Sequence, residues 1–262
     1  MKRSALLLGL ISLVVLPITA AWGGERWVDP RCTPLEITKY GPFVKNDDGS
    51  LLVIDKNILR SSTDGGKTWS EDGTPIDPGL DIAANGHVGQ FIRTKAGTLI
   101  IAFLDMSAYN WDWNNETQGP NPGCKLELWT IRSADGGKTW SEPVTINDLA
   151  VDDRDAGILR TAKGTMLVSW FTGPPYGSPL EGNYVIRSSD NGKTWSQPIR
   201  TQVTTPHGPI QLADGRLLTI GQRPHCSHTR GSGRPYDGPP GTTAYTVSIE
   251  ESRDDGLSWA VI

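Results

Sequence analysis

From about residue 37 onward, short apolar runs alternate with polar turns, and the runs are paired about a glycine: Gly49-Ser50-Leu51-Leu52, Gly97-Thr98-Leu99-Ile100, Gly164-Thr165-Met166-Leu167 and Gly215-Arg216-Leu217-Leu218. Apolar stretches of this length between turn residues read as strands. A third run follows each pair, over Asn57 to Arg60, Leu126 to Arg132, Tyr184 to Arg187 and Ala244 to Ile249, and it ends in another turn. Each unit therefore holds strands A, B, C and D of one antiparallel meander. Four-stranded meanders repeated around an axis are the blades of a β-propeller.

The turn after strand C has the same chemistry four times: Ser-x-Asp-x-Gly-x-Thr/Ser-Trp. The copies are Ser62-Asp64-Gly66-Thr68-Trp69, Ser133-Asp135-Gly137-Thr139-Trp140, Ser188-Asp190-Gly192-Thr194-Trp195 and Ser252-Asp254-Gly256-Ser258-Trp259. In such a turn the Asp accepts bonds from turn amides, the Gly supplies a positive φ, and the hydroxyl residue returns a bond to the loop. The Trp is left to fill the gap between neighbouring sheets. Asp64, Asp135, Asp190 and Asp254 are thus structural carboxylates. Arg60, Arg132 and Arg187, recurring before the boxes, and Arg93 and Arg160, recurring before the turn glycines, are read as blade architecture for the same reason.

The box aspartates step by 71, 55 and 64 residues. At that spacing the chain holds about four blades of a six-bladed plan, and the expectation is an all-β propeller whose domain, residues 22–262, is C-terminally incomplete. The last blade is expected to stop before its outer strand forms. A closed four-bladed form, with Trp27 to Ile37 as the closing strand, is the alternative.

Strand parity puts the A–B turns and the boxes at one end of every blade and the B–C loops at the other. Between turn glycine and box Asp, blades two to four carry 23, 11 and 24 more residues than blade one. These insertions are assigned to the B–C loops. They contain Asp105, Trp111, Asp112, Trp113 and Glu116, then Tyr176 and Glu181, then Arg223, His225, His228, Arg230, Arg234, Tyr236 and Asp237. Aromatics, carboxylates and cations gathered on the loops of one face suit a carbohydrate or other polar ligand.

Composition narrows the options. The chain has 262 residues, 37% hydrophobic and 21% charged, with a formal net charge of −4. That balance fits a soluble globular protein and gives no basic face for nucleic acid or anionic lipid. Lys2 and Arg3 precede an uncharged stretch that ends in Thr19, Ala20 and Ala21, so residues 1–21 read as a secretory signal peptide, and the protein is expected in the periplasm or medium with no stable membrane insertion after signal removal. Cys32, Cys124 and Cys226 allow one bridge and one free thiol, or no bridge. His225-Cys226-x-His228 lacks a second cluster at a metal-binding spacing, and neither metal nor cofactor is expected.

The boxes on this blade layout resemble those of the sialidase (neuraminidase) superfamily, six-bladed propellers that carry Asp-boxes. The resemblance implies a glycan or polysaccharide substrate. It also implies arginines on the substrate carboxylate, where guanidinium forks match bidentately, a Tyr nucleophile assisted by Glu, and an Asp acid/base. The family's first arginine stands ten residues before an A–B turn glycine, in an Arg-Ile-Pro motif. Here that offset falls on Lys39, His87, Arg154 and Thr205, and blade one reads Lys39-Tyr40-Gly41-Pro42.

The candidate catalytic residues are Asp155, Asp105 and His207. Asp155 is either held ionised beside Arg154 or, if partly buried, a proton donor; His207 is placed toward the axis, where an imidazole exchanges protons near neutral pH. Arg154, Arg223, His87, Trp111, Tyr176 and Glu181 are the candidate substrate-binding residues. Two functions stay open: an exported sialidase-like glycosidase acting on terminal, anionic sugars, and a non-catalytic glycan- or protein-binding propeller.

Overall fold

The computed structural model describes residues 29–33, 35–80, 82, 89–110, 113–114, 119–120, 125–147, 153–172, 182–203, 208–225 and 244–262. Residues 36–262 form one compact unit and residues 1–35 another. The larger unit contains four four-stranded antiparallel sheets, each built from one stretch of chain. Blade one is β1 (Phe43–Lys45), β2 (Leu51–Asp55), β3 (Ile58–Ser62) and β4 (Thr74–Pro75). Blade two opens with β5 (Gln90–Arg93) and β6 (Leu99–Asn110). It then makes a small separate hairpin of β7 (Trp113–Asn114) and β8 (Gly119–Pro120), and closes with β9 (Lys125–Ser133) and β10 (Val144–Asn147). Blade three is β11 (Asp153–Arg160), β12 (Met166–Thr172), β13 (Asn183–Ser188) and β14 (Ile199–Thr201). Blade four is β15 (Ile210–Gln211), β16 (Leu217–His225), β17 (Ala244–Ser252) and β18 (Ala260–Val261). The meander read from the apolar pairs is the observed connectivity, and the fold is an all-β propeller of Asp-box blades.

Gly49, Gly97, Gly164 and Gly215 have φ of 88°, 87°, 96° and 91°. A side chain is strained in that left-handed region, which is why glycine recurs at each A–B turn. The boxes lie between strands C and D, at the same end as these turns, here called the rear. In the first box Ser62 Oγ donates to Asp64 Oδ1 at 2.8 Å and accepts the Gly66 amide at 2.8 Å. Asp64 also accepts the Thr68 amide and hydroxyl, at 3.0 and 2.7 Å. The other three boxes repeat this network. Each box also holds two consecutive left-handed residues, Gly65-Gly66, Gly136-Gly137, Asn191-Gly192 and Asp255-Gly256, so the variable position before the box glycine is as constrained as the glycine itself.

Each box reaches back onto the preceding blade. A Cβ on Gly137 would sit 2.1 Å from Leu59 Cδ2 of blade one, one on Gly192 would sit 2.7 Å from Ile100 of blade two, and one on Gly256 would sit 3.0 Å from Leu167 of blade three. Trp140 packs on the apolar cluster shared by blades one and two, Trp195 on the cluster shared by two and three, and Trp259 on the Leu167–Val185–Leu217 cluster of three and four. Polar ties run the same way. Arg93 forms a two-pronged pair with Asp47, Arg160 donates to the Arg93 carbonyl, and Arg187 donates to the Asp255 carbonyl. The buried Glu250 carboxylate accepts the amides of Gln202 and Val203 where the chain crosses from blade three to blade four. Arg93, Arg160 and Arg187 thus tie blade to blade, as their spacing suggested, and Arg60 ties strand to turn within blade one.

Two expectations are corrected. The outer strand of the last blade does begin: β18 pairs with β17 through Glu250↔Val261 and Glu251↔Ala260. Trp259, partly buried, already packs against the cluster that holds Leu217, so the two residues after it fall into register. Nor do the described residues of the segment from Trp27 to Ile37 form a closing strand. Ile37 instead lies over Gly66, and Thr38 donates its amide to the Gly66 carbonyl at 3.1 Å, so Ile37 fills on the first box the slot that Leu59, Ile100 and Leu167 fill on the others. Cys32 is an exposed free thiol; Cys124 and Cys226 lie outside the described residues. So do the proposed signal peptide and most of the B–C insertions. Among the described residues no helix is long and apolar enough to cross a membrane.

Candidate functional site

The front of the propeller, opposite the boxes, is where strand B ends and strand C begins. In blade one this connection is only Lys56 and Asn57, with Lys56 at φ 58°. In blades two to four the corresponding ends lead into the long insertions. Asp105, Thr172 and Arg223 stand at the same level, each eight residues beyond its turn glycine. Asp105 is 3% exposed and pairs in register with Glu127 on β9. Glu127 in turn accepts the indole N–H of Trp129 at 3.1 Å. Arg223 lies on β16 opposite Thr246 of β17, and Arg154 on β11 opposite Phe171 of β12.

Asp155 follows Arg154 at an irregularity in β11. Arg154 pairs with Phe171 and Gly157 with Ser169, so Asp155 and Ala156 together oppose Trp170 alone. This one-residue bulge holds Asp155 at φ 48° and leaves it exposed. A proton-donor role for Asp155 was tied to partial burial. The bulge turns the residue outward instead, and Asp105 is the buried carboxylate of the two.

Behind the bulge lies a group that the sequence reading did not single out. Asp153 is fully buried, and both its carboxylate oxygens accept from Asn147 Nδ2 at 2.9 Å. Trp170, opposite the bulge, stacks on Tyr184 with ring centroids 5.5 Å apart. Burial raises the Tyr184 phenol above its ordinary pKa; the Arg200 charge opposes that and the Asp153 charge adds to it. Acidic doublets such as Asp152-Asp153 are common on surfaces, so no signal in the sequence marked Asp153 as the buried one.

At the front of blade one, Lys39 Nζ sits 2.7 Å from Asp55 Oδ2, and Arg60 Nε lies 3.0 Å from the same oxygen. The Lys39 hydrogen bond is the main cause that holds the Asp55 carboxyl below its ordinary range, with burial opposing it and Arg60 assisting. The cation at the offset of the family's first arginine is therefore already paired within its own blade.

The structure thus places Asp105, Arg154, Asp155 and Arg223 on the front halves of their strands. His87, Trp111, Tyr176, Glu181 and His207 lie outside the described residues. Among the described residues no three His, Cys, Asp or Glu side chains converge as a metal site.

The BNR/Asp-box repeat model matches residues 60–71, the first box. A sialidase of Bacteroides fragilis is 24% identical over 66% of the chain and 34% of its own length. A sialidase of Micromonospora viridifaciens is 25% identical over 75% of the chain and 33% of its own length. The chain is a sialidase-like Asp-box (BNR) propeller. A xyloglucanase of a Paenibacillus species is also similar to this Asp-box propeller, at 23% identity over 86% of the chain and 21% of its own length. The propeller chain spans about a third of the length of the two sialidases.

Proposed function

We propose that this propeller is the glycan-binding and catalytic part of an exported glycoside hydrolase of sialidase type, acting on terminal anionic sugars, with residues 1–21 as its signal peptide and no cofactor. The observation that carries the reading is the buried carboxylate of Asp105 in the front half of β6, the strand that leads into the first long insertion. A carboxyl group shielded from water at the mouth of a site suits general acid catalysis. In this reading Asp105 gives its proton to the glycosidic oxygen as the bond to the anomeric carbon breaks. Water then adds at that carbon and its proton returns to Asp105, closing the cycle. Arg154 and Arg223 hold the sugar carboxylate, Asp155 meets sugar hydroxyls, and His87, His207, Trp111, Tyr176 and Glu181, which the sequence alone proposes, remain candidates for the other substrate contacts.

The names of the sialidase relatives support this class, and that of the xyloglucanase supports a carbohydrate substrate more broadly. The test is hydrolysis of a 4-methylumbelliferyl sialoside by the full chain and by Asp105→Asn. Turnover that falls at least 100-fold in the variant is expected for a general acid. Unchanged turnover removes Asp105 from the mechanism.

A second reading, glycan binding without chemistry, is favoured by one observation: Asp55 neutralises Lys39, so blade one offers no free cation at that offset. Saturable binding of N-acetylneuraminic acid with no turnover would select it.

A further inference from the structure

Two irregularities flank the crossing from blade two to blade three, and one side-chain contact joins them. In β10, Thr145 pairs with Trp129 and Asn147 with Leu128, so Ile146 is an extra residue against β9. In β11 the extra residue falls at Asp155–Ala156. The Asn147 amide, at the end of the first irregularity, holds both oxygens of Asp153, two residues before the second. Both partners are buried.

Asp155 is unusual in its backbone. Among the described residues, left-handed φ values fall on glycines, on the box residues Asn191 and Asp255, on Lys56 in a two-residue turn, and on Asp155. Of the non-glycine cases only Asp155 lies inside the body of a strand away from a box. A glycine would take this conformation without cost, yet the residue present is a carboxylate with its side chain exposed at the front. Strain of this kind persists where the surroundings over-determine the backbone, and bulges re-aim side chains beside binding sites.

We infer that Asn147 is a positioning residue: through Asp153 it holds the β11 bulge in its left-handed form, so that the Asp155 carboxylate stands out toward a bound sugar. The ligand class rests on the function proposed above; the clasp and the strain do not. The contact joins the last strand of one blade to the first strand of the next, so it couples the packing of two blades to the aim of one carboxylate.

The test is a thermal-unfolding cycle on the full chain with Asp155→Gly, Asn147→Ala and the double variant. Asp155→Gly is expected to raise Tm by about 2–4 °C, because glycine relieves the strain. In the Asn147→Ala background that gain should shrink by at least half, since the bulge can then relax. A fall in Tm for Asp155→Gly, or an equal gain in both backgrounds, overturns the inference. Asn147→Ser replaces Asn147→Ala if the alanine variant does not fold.

The second arm is binding of N-acetylneuraminic acid. Asp155→Asn keeps the shape and tolerance for left-handed φ but removes the charge, and should weaken binding at least 10-fold with Tm unchanged; Asn147→Ala should weaken it in the same direction. Unchanged binding in both variants overturns the inference. No binding by the unaltered chain overturns the functional proposal instead, and the unfolding cycle still decides whether Asn147 holds the bulge.

Discussion

Trp195 of the third box donates its indole N–H to Thr130 Oγ1 of the second blade at 3.2 Å, whereas the indole nitrogens of Trp69, Trp140 and Trp259 are buried without a hydrogen-bond partner. The repeat therefore fixes where the ring goes, and only at Trp195 does the neighbouring blade also satisfy its polar atom. Trp195→Phe should cost about 1 kcal/mol more than Trp140→Phe, the net worth of a typical hydrogen bond, since the ring loss is common to both. Urea unfolding of the two variants measures the difference.

Neighbouring glycines of one box should respond differently to the same change. Gly136 and Gly137 have φ of 76° and 91°, so alanine at either pays for a left-handed backbone, about 1–2 kcal/mol. At Gly136 nothing lies within 4 Å of the new Cβ, while at Gly137 it meets Leu59 Cδ2 at 2.1 Å. Gly137→Ala should therefore lose a further roughly 1–3 kcal/mol from overpacking between blades one and two. Equal losses in denaturant titrations would show that Leu59 swings away freely.

Acid should loosen the rear turns. Burial pushes the Asp190 carboxyl up, but the Thr194 hydroxyl and amide and the Ser188 hydroxyl together outweigh it and bring it down to about 2. A carboxyl whose folded pKa lies below its unfolded value adds stability that is fully present above the unfolded pKa and disappears as pH falls through the folded one. The window for Asp190 thus runs from its ordinary 3.8 down to about 2. Asp190→Asn should flatten the dependence of stability on pH in that window, measured by chemical denaturation at several pH values.

Glu250 should be among the least tolerant positions outside the apolar core. Its carboxylate accepts two backbone amides at the crossing between blades three and four. Glu250→Ala leaves those donors without their acceptor and should cost about 2–4 kcal/mol. Protection of the Val203 amide from hydrogen exchange should fall in the same variant.

The repeat chemistry made the blades legible in the chain itself. Turn glycines such as Gly97 and box residues such as Ser133 and Asp135 carry out their whole function within a few residues, so identity and spacing announce them. The front was legible only as loop length and residue type. Asp105 was recognisable as a candidate within the second blade's insertion, but nothing local announced that it would be buried on a strand opposite Glu127. The clasp of Asn147 on Asp153 joins strands of two blades, and neither it nor the bulge at Asp155 leaves a local pattern. The misjudged outer strand has a similar origin: β18 is two residues long, below what an apolar run can signal, and is fixed by pairing to Glu250 and Glu251.

The bonds that tie each box span only two to four residues. Such a knot can close before any distant part of the chain has arrived, because the entropy lost in forming it is small. Each C–D corner can thus form locally and align its own hairpin before neighbouring blades pack on it. The opposite rim can then vary in length and sequence, because the information that registers the strands is stored in the rear turns.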